Sequence, residues 1–528
     1  MKRYRILAVA LIAMISFNSC DKFLTTELTD AKKTSESYYQ TPSDAYTALV
    51  GCYNGLDVIW NSGVAFPVAS EVFSDNCFGG TGASDGYGYQ MMDEFNKTVS
   101  PSDVSLFSNT WKGYYQAIYR CNTLINNIDQ VQWGDSTSLK NQYESEARFI
   151  RAFCYFDMAR LWEKVPLLTT ATVDNVPQAD PDSTYTQIMK DLRFAANNLP
   201  ATNYANVTSG RVSKWAAESL LARVYLFYSG YYGKTSIGNE NASTALAAVE
   251  DVIANSGHGL VSDYTTLWPA ASIAKGVTYA GEHNKEVVFS IKYSSTGDYN
   301  GNITGNTWMV MEGIREESHF PYQYGWGACT VDPKLYNNFS ADDSRRFASI
   351  ISIDDENIDF TKADKNREYS GYYLKKYSPV CDSTGTSIVT SFMIGQYQDY
   401  FAIRYSDVLL MAAELGSPNA VSYYNQVLER ANSSATPATS VNEDMIMAQR
   451  RLEFVGEGIR YWDLMRQGVT QAASTIAANT TISILDNGGT PPSAAQLQAN
   501  IEATRGFQQI PNDQITLSSG TLVQNAGW

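Results

Sequence analysis

The chain has 528 residues with a formal net charge of −16 and a sequence pI near 4.7. That length supports a large core in two or more lobes. The acidity, with no Lys/Arg block beyond the first five residues, argues against nucleic acid as a partner. The 35 Tyr and 10 Trp are an excess, and many lie in Gly/Asn/Ser-rich stretches rather than on helix stripes. Aromatic rings in such loops are costly to solvate unless they meet a ligand, a partner or the core.

Lys2, Arg3 and Arg5 precede an apolar run from Ile6 to Phe17. A bilayer crossing needs about 20 apolar residues, so this run predicts a signal-peptide core over 1–19. Ser19-Cys20 at its end resembles a bacterial lipobox, with Phe17 and Asn18 departing from the usual pattern. Cleavage there makes Cys20 the lipidated terminus and residues 20–40 a tether. No later segment is long and apolar enough for a transmembrane helix. Six further cysteines contain no C-x-x-C pair, and there are only three His, which disfavours a zinc cluster. Cys52, Cys121 and Cys154 fall in helical patterns and read as small buried hydrophobes. A Cys77–Cys329 or a Cys329–Cys381 disulfide stays open.

Thr41-Pro42-Ser43-Asp44 opens a helix to about Ile59. Residues 68–94, with the Gly-rich Ser74–Tyr89, form a break too long for a simple connection and read as a functional loop. Helices are predicted at Ser102–Val131, Leu139–Trp162, Thr184–Asn198, Val212–Tyr232 and Ala242–Asn255. Small residues alternate with large ones in Glu146–Leu167 and Gly210–Tyr225, as in solenoid-like helix pairs. From about Ser256 to Asp399 the character changes. Lys285–Ile291 reads as a strand, and 295–330 is loop-rich in Gly, Asn, Trp and Tyr. Helices return at Arg404–Leu415, Ala420–Arg430 and Val441–Gln467, followed by a mostly irregular tail. In the last of these helices Leu452, Val455, Ile459 and Trp462 form an apolar stripe. Arg450, Glu453, Glu457 and Arg460 stack opposite charges one turn apart.

Five stretches together resemble the SusD/RagB outer-membrane lipoproteins: Glu146–Leu167, Gly210–Tyr225, Ile403–Glu414, Arg450–Arg466, and Ile510–Ile515 with the ending Gln524–Trp528. Departures are Glu163 where Gly is common, Gln514 where an acid is usual, and Ala526 where Pro is frequent. The resemblance implies a mainly α fold whose tetratricopeptide-like helix pairs build a right-handed solenoid-like body. Irregular loops and a few short strands carry the binding surface. The implied organisation is a helical region over 41–260 with an inserted loop, then a SusD/RagB-like region over 261–528. The resemblance also implies a binding protein rather than an enzyme. Such a protein captures oligosaccharides, or in some members peptides, for a SusC-type TonB-dependent transporter, and sits lipid-anchored on the outer face of the Bacteroidota outer membrane.

An uncharged oligosaccharide presents C–H faces that aromatic rings stack on and hydroxyls that short polar side chains bond. The candidates from the two aromatic loops are Asp75, Asn76, Tyr87, Trp308, Tyr324 and Trp326, with Trp268 ranked below them. A glycoside hydrolase is the competing class, with Glu453 and Glu457 as its carboxylate pair. Flanking arginines keep carboxylates ionised, which opposes the raised pKa of a general acid. No cofactor is predicted. Calcium at Asp342-Asp343 or Asp354-Asp355-Glu356 is an open alternative without EF-hand spacing.

Overall fold

A computed structural model describes residues 38–61, 63–82, 84–96, 106–299, 303–478 and 492–528. The expected signal peptide, Cys20 and nearly all of the tether lie outside the described residues, as does the first part of the helix expected from Ser102.

Helices begin where local chemistry satisfies their first N–H groups. Helix α1 (Pro42–Val58) starts at a capping box: Asp44 N–H donates to Thr41 Oγ1 at 3.2 Å, and Thr41 N–H donates to Asp44 Oδ2 at 2.9 Å. After α2 (Ser108–Asn127) and α3 (Thr137–Trp162), α4 (Pro181–Asn198) is capped by Asp180 with Pro in its first turn. Ser213 caps α5 (Lys214–Tyr232), which stops at Gly233, and Asn241 caps α6 (Ala242–Asn255). Each packs on the next, α1 through α6, and α6 then packs on α7 (Tyr405–Glu414), itself paired with α8 (Ala420–Ala431). This succession of helices, each packed on the next, is the expected mainly helical, solenoid-like body. Its apolar core runs from Tyr39 to Leu522.

The C-terminal helix expected over Val441–Gln467 is two helices, α9 (Glu443–Glu453) and α10 (Arg460–Arg466). Gly456 and Gly458 between them have φ of +76° and +72°, a left-handed backbone that ends a helix. A Cβ at Gly458 would also lie 2.7 Å from the Pro67 Cα, so the turn is pressed against the segment before the Gly-rich loop.

Breaking the helix rearranges the charges that periodicity had stacked. Glu453 and Glu457 converge on Arg404, whose guanidinium reaches them at 2.8–2.9 Å and Glu286 at 2.6 Å. Arg430 pairs with Glu286 and Glu453, Arg345 reaches Glu453 at 3.3 Å, and Lys376 reaches Glu457 at 2.6 Å. Arg450 turns instead to Asp407 and Asp463, and Arg460 to Asp75. The buried ion pairs are present, but with partners from distant elements rather than from one helix face.

The Gly-rich break holds more structure than its composition suggested: a helix at Phe66–Val72, strands at Cys77–Phe78 and Thr81–Gly82, and a helix at Gly88–Asp93. The tail also contains helices at Val469–Ala477, Ala494–Thr504 and Asn512–Leu517. The strand expected at Lys285–Ile291 is Val287–Ile291, antiparallel to Tyr400–Arg404. All six cysteines after Cys20 are free and buried, so neither disulfide pairing is formed. The acidic runs have internal partners. Asp343 caps a helix and pairs with Arg345, while Glu356 pairs with Lys375 at 2.9 Å.

Candidate binding cleft

The two aromatic-rich loops meet at one cleft of about 370 Å³. Short strands set its walls. Thr81–Gly82 pairs antiparallel with Asn366–Arg367 on one side. Ile314–Arg315 pairs parallel with Tyr324–Gly325 on the other. Strand alternation then sends the Tyr324 and Trp326 side chains outward on either side of Gly325. Both line the cleft, 37% and 38% exposed. Tyr324 is backed by Phe392, stacked at 4.2 Å and 28°. Trp326 is fixed through its backbone, its N–H donating to the Val310 carbonyl at 2.7 Å. Exposed rings of this size are platforms for an apolar face.

Arg315 ties the walls together. Its Nη1 donates to Asp85 Oδ2 at 2.9 Å and to the Trp326 carbonyl at 3.3 Å, and its Nη2 donates to Glu316 at 2.7 Å. The guanidinium passes directly over Gly82, where a Cβ would sit 2.0 Å from Nη2. Glycine at 82 is what leaves room for this strut. Tyr87, 40% exposed, lies beside the cleft with the Arg367 guanidinium 4.3 Å from its ring centroid.

Two of the six sequence candidates, Tyr324 and Trp326, line the cleft, and Tyr87 lies beside it. The other three are corrected by burial. Asp75, 3% exposed, is held by Arg460 at 2.7 Å and Arg451 at 3.1 Å. Burial works to raise its pKa, but the two guanidinium groups outweigh it and keep the carboxylate below its ordinary range. Asn76 donates to Glu71 at 3.2 Å and accepts from Arg451 at 3.1 Å. Both residues lock the Gly-rich loop onto α9 and α10. Trp308 is 3% exposed, packed against Tyr377 and Tyr400 at ring separations of 4.9 and 5.7 Å. Trp268, ranked lower, is fully enclosed beside Tyr377 and Phe401.

Sequence reading passed over Asp85, Arg315, Glu316 and Phe392. The Arg315-Glu316-Glu317 triplet was the available signal, a charged insertion inside an aromatic-rich segment. Phe392 comes from a distant Ser/Thr-rich stretch, and nothing local marks it.

Glu453 and Glu457, the carboxylate pair of the hydrolase alternative, lie in the core at 0% and 2% exposure. Burial pushes Glu453 up, yet Arg430, Arg404 and Arg345 overcome this and hold it at about 2. A carboxylate so strongly ionised has no proton to give a leaving group. Among the described residues no group of three His, Cys, Asp or Glu side chains is placed to hold a metal, and no helix is long and apolar enough to cross a membrane.

Comparison with known proteins extends these features along the chain. A model of the SusD family matches residues 356–528, and one described as starch-binding, associating with outer membrane, matches residues 75–226. SusD-like protein P25 of Formosa agariphila is 25% identical over 507 residues, covering 87% of this chain and 89% of that one. A SusD-like protein of Bacteroides ovatus is 23% identical over 482 residues, with 87% and 82% covered. Among solved structures, surface glycan-binding protein A from Bacteroides thetaiotaomicron in complex with laminarihexaose superposes with a TM-score of 0.74 at 24% identity, covering 93% of this chain and all of that one. A laminarin-binding SusD-like protein gives 0.72 at 26% identity with the same coverage. The two family models fall on separate parts of one continuous core, and the likeness to relatives and solved structures runs over nearly the whole chain; the protein belongs to the SusD/RagB family.

Proposed function

We propose that this protein is a glycan-binding, non-catalytic member of its family, and that the cleft between the 74–89 and 303–326 loops is where the oligosaccharide binds. The observation that carries the reading is the pair of half-exposed rings, Tyr324 and Trp326, on one wall of a cleft that also presents the hydrogen-bonding groups of Thr81, Asp85, Arg315 and Glu316. Pyranose rings stack on the first and bond the second. The likeness to a laminarihexaose complex and to a laminarin-binding protein supports a glycan as the ligand class. Lipid attachment at Cys20 would hold the protein at the outer membrane, consistent with the description of the matched family model. Captured oligosaccharide would then pass to a SusC-type TonB-dependent transporter.

The test is a titration of the purified chain with a panel of oligosaccharides, followed by an assay for new reducing ends. Saturable binding without new reducing ends supports the proposal. Release of reducing ends, or no binding to any glycan, overturns it. Co-purification of a TonB-dependent transporter from the native membrane tests the partner, and its absence under conditions that preserve the membrane assembly counts against that step.

A further inference from the structure

The charges of the cleft are arranged for one class of glycan. Among the described residues its lining includes a single cation, Arg315, and two carboxylates, Asp85 and Glu316. The Arg315 side chain is only 8% exposed, whereas those of Asp85 and Glu316 are 41% and 48% exposed. Both Nη atoms of Arg315 are already engaged by these carboxylates and by the Trp326 carbonyl. The neighbouring Arg367 is 1% exposed, covered by the Tyr87 ring, and donates to the carbonyls of Gly86 and Asp85 at 3.3 and 3.1 Å. A ligand entering the cleft therefore meets carboxylate oxygens before any guanidinium.

We propose that the cleft accepts uncharged oligosaccharides and turns away those carrying uronate or sulfate groups; this rests on the reading of the cleft as a glycan site. The chemistry is that of donors and acceptors. The carboxylate oxygens of Asp85 and Glu316 are acceptors, and the hydroxyls of a neutral sugar can donate to their outer lone pairs. A uronate or sulfate offers acceptors in the same place and faces like charge. To reach Arg315 it must displace Glu316, or displace Asp85 and so release the strut joining the two walls. Exclusion by like charge is weakened by salt, while stacking on Tyr324 and Trp326 is not.

The experiment titrates the purified chain with size-matched neutral oligosaccharides (gluco-, xylo-, manno- and galacto-configured) and with galacturonate, mannuronate and guluronate oligosaccharides. Two salt concentrations are used, about 0.01 M and about 1 M, where the Debye length is about 30 and about 3 Å. The expected result is a neutral ligand whose affinity is the same at both, and uronates at least about tenfold weaker at low salt with a gap that narrows at high salt. Asp85→Asn with Glu316→Gln should close most of that gap. Should the double variant fail to fold, Glu316→Gln alone, at an exposed side chain, should narrow it. A uronate that binds the unaltered chain as tightly as the best neutral ligand overturns the charge assignment and leaves the glycan reading standing. A gap unmoved by a folded charge variant also overturns the assignment. No binding to either class overturns both.

Discussion

Arg315 donates to Asp85 at 2.9 Å across 230 residues of sequence, and that one contact joins the two loops that form the cleft. It is a charge-assisted bond between a nearly buried guanidinium and a half-exposed carboxylate, and so combines geometric definition with modest energy. Arg315 is a positioning residue. Arg315→Ala should weaken glycan binding and speed amide hydrogen exchange in both 79–89 and 313–326, while Arg315→Lys restores one contact and part of the affinity. Exchange that changes in only one of the loops would contradict the strut.

Trp308 and Trp326 are predicted to part company on substitution. Trp326→Ala removes a platform ring and should cost about tenfold in affinity, ~1.4 kcal/mol, with little change in melting temperature. Trp308→Ala empties a core position and should cost about 3–5 kcal/mol of stability. Thermal unfolding and titration of both variants check this. A stable Trp308→Ala with lost binding would return that residue to the ligand surface.

The contrast between these two tryptophans shows how far the sequence could be read. Both stand in Gly-containing loop stretches, and residue type does not reveal which way a loop folds. Burial is settled by long-range partners such as Tyr377 and Tyr400, invisible to local pattern. Asp75 and Asn76 were misplaced for the same reason, since Arg451 and Arg460 lie some 375–385 residues away. The helices were legible because their signals are local: caps at Thr41, Ser213 and Asn241, and apolar spacing between them. In the Val441–Gln467 segment that same periodicity misled, because the charge pattern continued through two glycines whose backbone does not. Their left-handed φ brings Glu457 round to Arg404 and leaves Glu453 on the preceding helix.

The Arg404 cluster is a structural device. Glu457→Gln leaves Arg404 and Lys376 short of a buried counter-charge, and breaking such a pair typically costs about 3–5 kcal/mol. Chemical denaturation should show that loss, with glycan affinity per folded molecule unchanged. A fully stable variant that no longer binds would place Glu457 in the binding machinery instead.

Acid–base behaviour follows from opposed shifts among buried and half-buried carboxyls. Burial pushes Asp57, Glu71 and Glu282 up to about 7 and Glu218 up to about 8. Their unfolded values lie near 4, so between about pH 4.5 and 7 the folded state binds more protons and stability declines as pH rises. Glu453 behaves oppositely. Held at about 2 by its arginines against the effect of burial, it contributes stability above its unfolded value and loses it as pH falls from about 4.5 towards 2. The melting temperature should therefore peak near pH 5. Scanning calorimetry from pH 3 to 9 checks this, and a melting temperature that climbs steadily to pH 8 would contradict it.

We assign Tyr324 and Trp326 as the glycan platform. The most direct measurement is a calorimetric titration, with the best oligosaccharide of the panel, of the unaltered chain and of the Tyr324→Ala/Trp326→Ala double variant, alongside their melting curves. Saturable binding is expected of the former and at least about a hundredfold loss in the latter, at nearly equal melting temperature. A folded double variant that binds as tightly as the unaltered chain would contradict the assignment.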